Sequence, residues 1–341
     1  MSNDLHVLIA YLNFRADNFS HDGLGVNGAH AVRLLRKNGI FAECCCVKTR
    51  AEIEQQLDMR HGSGTTVTHC CIEAPWLPAT EMVKLMRKYR RTEFVCRLHA
   101  QVSFLQVDGG AFEKLEGYKM LQDGDVGFTL ASNNQRFCRH FESVHNCYCT
   151  YLPNLYDLDR PSRKRPVPHT DRLLRIASFG ALRPMKNHLT AAAAAMEIAR
   201  RRSGDLEFWV STGRDEEHGV LRGIRNLFAA HPWAKAVGNP WQPWAQFRHT
   251  IARMDLVIQA SYTESFNIVT ADAVSEGVPC VVSPAIEWMP DFCQADPDDA
   301  SAIARTGSML LADPHVCWEC FDALEAYVGM AVTRWKKFLG A

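Results

Sequence analysis

Apolar runs of strand length alternate with helix-like runs along this 341-residue chain, and the alternation predicts an α/β protein with mostly parallel sheets covered on both faces. Two further features divide it. The length suits two domains of roughly 150 residues each. The alternation also breaks once, at DLDRPSRKRPVPHTDR (157–172), where prolines and basic residues make a poor strand or helix and read as a linker. We therefore expect an N-terminal domain over 1–156, a linker over 157–172, a second domain over 173–318 and a last helix over 319–341 returning to the first domain. A cleft between two such domains is a common ligand site.

In the first half, HVLIAYLNF (6–14) is a continuous apolar run and reads as a buried strand. GAHAVRLLRKNG (28–39) has helical spacing and is closed by Gly39. FAECCCV (41–47) and VTHCCIEA (67–74) are short apolar strands, and TEMVKLMRKYRR (80–91) is a helix. EFVCRLHA (93–100) and VGFTLAS (126–132) are strands, with the helix AFEKLEGYKMLQ (111–122) between them. In the second half LLRIASFG (173–180) is a strand, and NHLTAAAAAMEIARRR (187–202) is rich in the best helix former. LEFWVST (206–212), KAVG (235–238), LVIQAS (256–261) and PCVVSP (279–284) are further strands, and an apolar, aromatic helix runs over 318–339.

Lys plus Arg equals Asp plus Glu, 38 of each, so no global field draws nucleic acid or an anionic membrane. Thirteen cysteines include Cys44-Cys45-Cys46 and Cys70-Cys71, both inside apolar stretches where a reduced thiol is a small hydrophobe. That usage predicts a reducing, cytoplasmic setting. The N-terminus MSNDLHVLIAYL carries Asp4 and no basic lead, which is unlike a signal peptide. No apolar run approaches the roughly 20 residues of a transmembrane helix.

Gly23, Gly25 and Gly28 spell G-x-G-x-x-G, and Glu43 lies where a ribose-binding acid would stand. An NAD(P)-dependent oxidoreductase using this loop is one reading. The spacing weighs against it: a dinucleotide site has its first glycine within a residue or two of the strand, whereas polar RADNFSHDG intervenes here. The other reading is a glycine-rich βα loop that brings backbone close to a ligand, ahead of a helix N-terminus that favours an anion.

The stretch LVIQASYTESFNIVTADAVSEGVPCVVSP (256–284) carries the most chemistry. A strand to Ser261, a loop holding Glu264, a helix from Ser265–Phe266 to Gly277 and a strand after Pro279 are expected. Glu264 and Asp272 are then about 12 Å apart along the helix axis. A nucleoside-diphosphate sugar has hydroxyls at both ends and a diphosphate between, so two such acceptors suit its ends while the helix N-terminus faces its anionic middle.

This stretch resembles the E-x7-E signature of retaining GT-B glycosyltransferases of the family 4 type. Glu264-Ser265-Phe266-Asn267 stands for Glu-Gly-Phe-Gly, Asp272-Ala273-Val274 for Glu-Ala-Met, and Gly277-Val278-Pro279 for Gly-x-Pro. The resemblance implies a GT-B fold of two Rossmann-like domains, Glu264 on the donor sugar, Asp272 on the ribose, and Ser265, Phe266 and Asn267 around the donor. Asp272 is one methylene shorter than the usual Glu. Asn267 replaces a glycine, and Asn accepts left-handed backbone better than most residues. A GT-B-shaped binding protein without turnover is the alternative that these departures leave open.

SFGALRPMKNH (178–188) resembles the family's Gly-Arg-Leu…Lys-Gly segment, with Arg183 and Lys186 on a βα loop and Asn187 as a helix N-cap. Two cations there would neutralise a departing diphosphate, so no metal or other cofactor is expected. YLPNLYD (151–157) is similar to the segment where such chains cross to the second domain. CRLHAQ places His99 where members carry a histidine near the donor sugar, a core or capping histidine being the alternative. Gly23 and Gly25 are assigned to the donor on the same ground. The implied partner is a nucleoside-diphosphate sugar and the implied transfer is retaining. The acceptor is open: small molecule, glycan, lipid, protein or modified nucleic acid.

Other clusters fit plainer readings. Cys138, His140, His145, Cys147 and Cys149 match no common zinc spacing. Cys317 and Cys320 share one helix face and read as packing. Asp123 and Asp125 look like the metal acids of GT-A transferases but also like an acidic turn before a strand. KLMRKYRR (84–91) is a solvated basic face, or a surface for an anionic acceptor or membrane.

Overall fold

The computed structural model describes residues 5–12, 23–106, 111–124, 127–158, 173–202, 204–212, 219–313 and 315–341. The end of the first predicted strand (13–14), the polar loop of residues 15–22, Asp125 and linker residues 159–172 lie outside the described residues. The chain divides into two compact units, Met1–Asp157 with Val328–Ala341, and Leu158–Tyr327.

The first unit runs β1 (His6–Tyr11), α1 (Gly23–Lys37), β2 (Phe41–Cys46), α2 (Arg50–Gly62), β3 (His69–Glu73), α3 (Ala79–Lys88), β4 (Glu93–Leu98), α4 (Ala111–Asp123), β5 (Phe128–Ser132), α5 (Gln135–His145) and β6 (Thr150–Tyr151). Its sheet is parallel, in the order β2-β1-β3-β4-β5-β6. Every residue of β1 is buried, which is why that strand reads as an unbroken apolar run. The sequence order reverses between β1 and β3, so side chains at the carboxyl ends of the central strands line a crevice of the kind that takes ligands in open parallel sheets.

One local expectation is corrected, and two helices stand where the sequence pattern showed none. Helix α1 begins at Gly23 rather than at Gly28, so Gly23 and Gly25 lie on helix rather than in a loop ahead of it; Gly25 and Gly28 are buried. Helix α2 escapes the sequence pattern because only Ile53 and Leu57 are buried on it; Thr49 caps it by accepting from the Glu52 amide at 3.2 Å. Helix α5 is started by Asn134, which accepts from the Phe137 amide at 2.9 Å, and is ended by Asn146 in the left-handed region at φ 48°.

The second unit runs β7 (Leu173–Ser178), α6 (His188–Arg201), β8 (Asp205–Ser211), α7 (Val220–Ala229), β9 (Ala234–Asn239), α8 (Trp244–Ile251), β10 (Leu256–Gln259), α9 (Ile268–Ser275), β11 (Cys280–Val282), α10 (Ala300–Ala312) and the first half of α11 (Val316–Leu339), whose residues from Val328 onward belong to the first unit. The sheet order is β11-β10-β7-β8-β9, again parallel. The reversal here falls between β7 and β10. Helix α6 packs through Ala191, Ala192, Ala194, Ala195 and Ala199, all fully buried, and such small side chains let neighbouring elements come close. Gly307 of α10 shows how close: a side-chain carbon there would stand 2.7 Å from Ile198 and 2.9 Å from Leu256. The substitution Gly307→Leu should therefore destabilise the protein by about 1–3 kcal/mol through overpacking. Urea denaturation would read this as a lower midpoint at unchanged slope.

Candidate active site

The adjacency of β7 and β10 brings two loops together at the carboxyl end of the second sheet. One leaves β7 and carries Arg183, Lys186 and Asn187; the other leaves β10 and carries Glu264, Ser265, Phe266 and Asn267. They are tied by backbone, the Tyr262 amide donating to the Met185 carbonyl at 2.9 Å. They are also tied by charge, the Lys186 ammonium donating to the Glu264 carboxylate. The Glu264 side chain is 8% exposed, so its charge is partnered as burial demands. Arg183 is half-buried on the same loop.

Two asparagines hold the loops in shape. Asn267 sits at φ 59°, and its side-chain oxygen accepts from the Thr270 amide at 2.9 Å, capping α9. Its amide nitrogen donates to Glu264 and to Gln259, each at 3.0 Å. Asn187 sits at φ 56° and donates to the Ala260 and Pro297 carbonyls at 3.1 and 2.7 Å. Its side chain does not cap the α6 backbone, contrary to the expectation; it accepts instead from the Thr190 hydroxyl at 2.6 Å. The helix expected from Ser265 begins only at Ile268, because a residue held left-handed at 267 cannot be helix interior. Glu264 therefore stands in the loop and Asp272 in the second turn of α9, so an axial rise does not describe their separation.

Beneath the first loop lies His188, 1% exposed and absent from the sequence-based site. Its Nε2 donates to the Ala181 carbonyl at 3.1 Å and its Nδ1 accepts from the Ser178 hydroxyl at 2.8 Å. Burial is the main cause that lowers its pKa to about 4, so the imidazole is neutral and acts as a strut between β7 and the loop. Gly180, at φ +118°, makes the turn there and donates its amide to the Ser211 hydroxyl at 3.1 Å.

Asp272 is 1% exposed and accepts from the Trp244 indole at 3.0 Å. Trp244 is the first residue of α8, another functional candidate the sequence did not reveal. The Phe266 side chain is corrected from donor contact to core. It is 1% exposed and stacks on Tyr327 with ring centres 4.9 Å apart, and its carbonyl accepts from the Trp288 indole at 2.7 Å.

In the first unit His99 belongs to a buried polar network at the ends of β3, β4 and β5. Arg97 donates to Glu73 from Nε at 3.0 Å and from Nη2 at 2.7 Å, and His99 Nε2 donates to the same carboxylate. Asn133 donates to His99 Nδ1 at 3.1 Å, which fixes the tautomer. Burial would raise the Glu73 pKa, but Arg97 and His99 outweigh it and hold the carboxylate at about 2. Burial, with Arg97 nearby, pulls His99 below its ordinary 6.5.

The remaining candidates separate from both networks. Glu43, the expected ribose acid of the dinucleotide reading, pairs with Arg60 at 2.8 Å and His6 at 2.9 Å. The three glycines of that reading lie in the first turns of helix α1. Among the described residues no group of three or more His, Cys, Asp or Glu could hold a metal ion. Cys138, Cys147 and Cys149 are buried thiols, and His145 pairs with Glu116 at 2.9 Å. Cys317 and Cys320 are buried at the start of α11, the latter 3.4 Å from Cys293. Lys84 and Lys88 are paired, with Glu81 at 2.5 Å and with Asp58 at 2.9 Å. Among the described residues no helix is long and apolar enough to cross a membrane.

Two parallel Rossmann-like sheets, each with its reversal point, define a GT-B glycosyltransferase fold, and comparison with solved structures agrees. The chain is similar to sucrose-phosphate synthase from Thermosynechococcus elongatus, with 12% identity over 97% of this chain and 98% of that one, at a TM-score of 0.66. It is similar to HepE from Anabaena, solved in complex with UDP and glucose, with 14% identity over 97% and 98% and a TM-score of 0.61. It is also similar to a UDP-forming trehalose-phosphate synthase from Burkholderia xenovorans, with 11% identity over 98% of each chain and a TM-score of 0.63. No curated protein matches the sequence. More particularly, residues 125–286 match a family described as "Family 4 Glycosyltransferase in conflict systems".

The His188 strut sets a pH dependence. Its folded pKa lies below its ordinary 6.5, so between 6.5 and about 4 the unfolded chain binds the proton and the folded chain does not. The stabilisation is full above pH 6.5 and is lost as pH falls toward about 4. Denaturation midpoints of His188→Gln should therefore fall less steeply than those of the unaltered protein across that window.

Proposed function

We propose that the protein transfers a sugar from a nucleoside-diphosphate sugar to an acceptor, with retention of anomeric configuration, and that the second unit holds the donor. The observation that carries this is the pairing of Lys186 with Glu264 at the β7–β10 reversal, with Asn267 on the same carboxylate and Arg183 on the same loop. The UDP bound to the Anabaena relative supports a nucleotide ligand on this fold.

In this mechanism Glu264 accepts from hydroxyls of the donor sugar and Asp272 from the ribose. The diphosphate draws the Lys186 ammonium toward it, which leaves Glu264 with oxygen lone pairs for the sugar. Arg183 and Lys186 then stabilise the charge that grows on the diphosphate as the glycosidic bond breaks. The leaving diphosphate itself takes the acceptor proton, so no carboxylate nucleophile is required. With two cations serving the diphosphate, turnover is expected to survive EDTA. The first unit, with His99 held by Glu73 and Asn133, is assigned to the acceptor side and the sugar.

A thermal-shift screen of UDP-, GDP- and ADP-sugars tests the reading, because a donor that binds the folded state raises its melting point. With the donor so found, Glu264→Ala and Arg183→Ala should each lower kcat/KM by about 100-fold or more, the usual cost of removing a group that meets transition-state charge. Full turnover in both variants would remove these residues from the mechanism.

A further inference from the structure

Asp272 is one methylene shorter than the acid its motif calls for, and a buried carboxylate at that place has to be both partnered and correctly turned. The partner is the indole of Trp244, whose Nε1 donates to Oδ1 at 3.0 Å from the neighbouring helix α8. The ring is itself clamped. One turn along α8, the Arg248 guanidinium lies 5.1 Å from the centre of the Trp244 ring. Arg248 is anchored on α9, donating to Glu276 at 2.5 Å and to the Ser275 hydroxyl at 3.1 Å. Ser275 closes the circuit by donating its hydroxyl to the Asp272 carbonyl at 3.0 Å. Backbone carbonyl, carboxylate, indole and guanidinium thus form one closed set of contacts between two short helices.

From this circuit we infer that Trp244 is a positioning residue for Asp272, and that the two form a matched pair through which the site selects ribose over deoxyribose. The inference rests on the donor reading above. An indole that engages one carboxylate oxygen fixes the rotation of the carboxyl plane, and with it the direction in which the group accepts from a vicinal diol. The shorter side chain follows from the same geometry. A glutamate at 272 would carry its oxygens about one bond length further from the backbone, past the point that the clamped indole reaches. The acid and the tryptophan therefore fit each other, and altering either one alone spoils the fit.

Isothermal calorimetry of UDP, GDP, ADP and their 2′-deoxy forms tests this on the unaltered protein, Trp244→Phe, Asp272→Glu and the double variant. The unaltered protein should prefer the ribonucleotide by about 10- to 100-fold, the worth of a hydrogen bond to a charged group. Trp244→Phe keeps an aromatic ring at this place and removes the indole N–H; it should bring the two sugars to within about 3-fold of each other. Asp272→Glu reads the same pair without touching the ring and should also lose the preference. The double variant should lose no more of the preference than either single variant does, as expected of two residues that act as one pair. Destabilisation alone would weaken both nucleotides equally and leave their ratio unmoved. An undiminished preference in Trp244→Phe or in Asp272→Glu overturns the inference and leaves the donor reading intact, as does a native protein that binds ribo and deoxy forms equally. Binding of no nucleotide by the native protein overturns both.

Discussion

The side-by-side hydrogen bonding of β7 and β10 is the constraint on which the chemistry of the second unit depends. These strands are far apart in sequence, and between them the chain completes β8 and β9 on one side of β7 before returning to the other. Only that reversal sets a loop bearing two cations against a loop bearing an acid. The Lys186–Glu264 contact then follows from topology. There the cation and the carboxylate partner each other.

The first unit handles charge differently. Glu73 and Arg97 are both almost wholly buried, and their pairing is bidentate, the geometry in which a guanidinium best matches a carboxylate. Arg97 also donates to the Leu152 carbonyl and to Asn154, and its guanidinium lies 5.4 Å from the Trp335 ring. The Trp335 indole donates in turn to the Pro153 carbonyl at 2.8 Å. So the pair that orients His99 also ties the end of β6 and the last part of α11 into one unit. An ion pair buried this deeply adds little net stability against an apolar replacement, but losing one member would strand the other.

Much of the architecture was legible in the sequence because parallel strands buried on both faces are nearly pure apolar runs. β1, β4, β7 and β10 announce themselves in this way. What the pattern hid has specific causes. Helix α2 buries only Ile53 and Leu57 and so has almost no apolar stripe. The glycines at 23 and 25 read as a loop ahead of a helix starting at Gly28, yet the helix starts at Gly23 and takes in both. In the candidate site, Arg183, Lys186 and Glu264 stand out through the family resemblance of their segments. Trp244 does not, because the residue that gives it meaning is 28 positions away and on another helix. His188 looked like an ordinary helix-start residue, and only its burial shows it to be a strut.

The asparagines at 187 and 267 have a consequence for the thermodynamics of recognition. Both occupy backbone conformations that glycine adopts readily, but glycine would leave those loops free to sample many shapes. Here each side chain fastens its own loop, at Asn187 to the carbonyls of Ala260 and Pro297, and at Asn267 to Gln259 and Glu264. Ordering is therefore completed during folding rather than at the encounter with a ligand. A ligand taken up by such loops would cost them little further entropy, because each is already fastened by its own side chain.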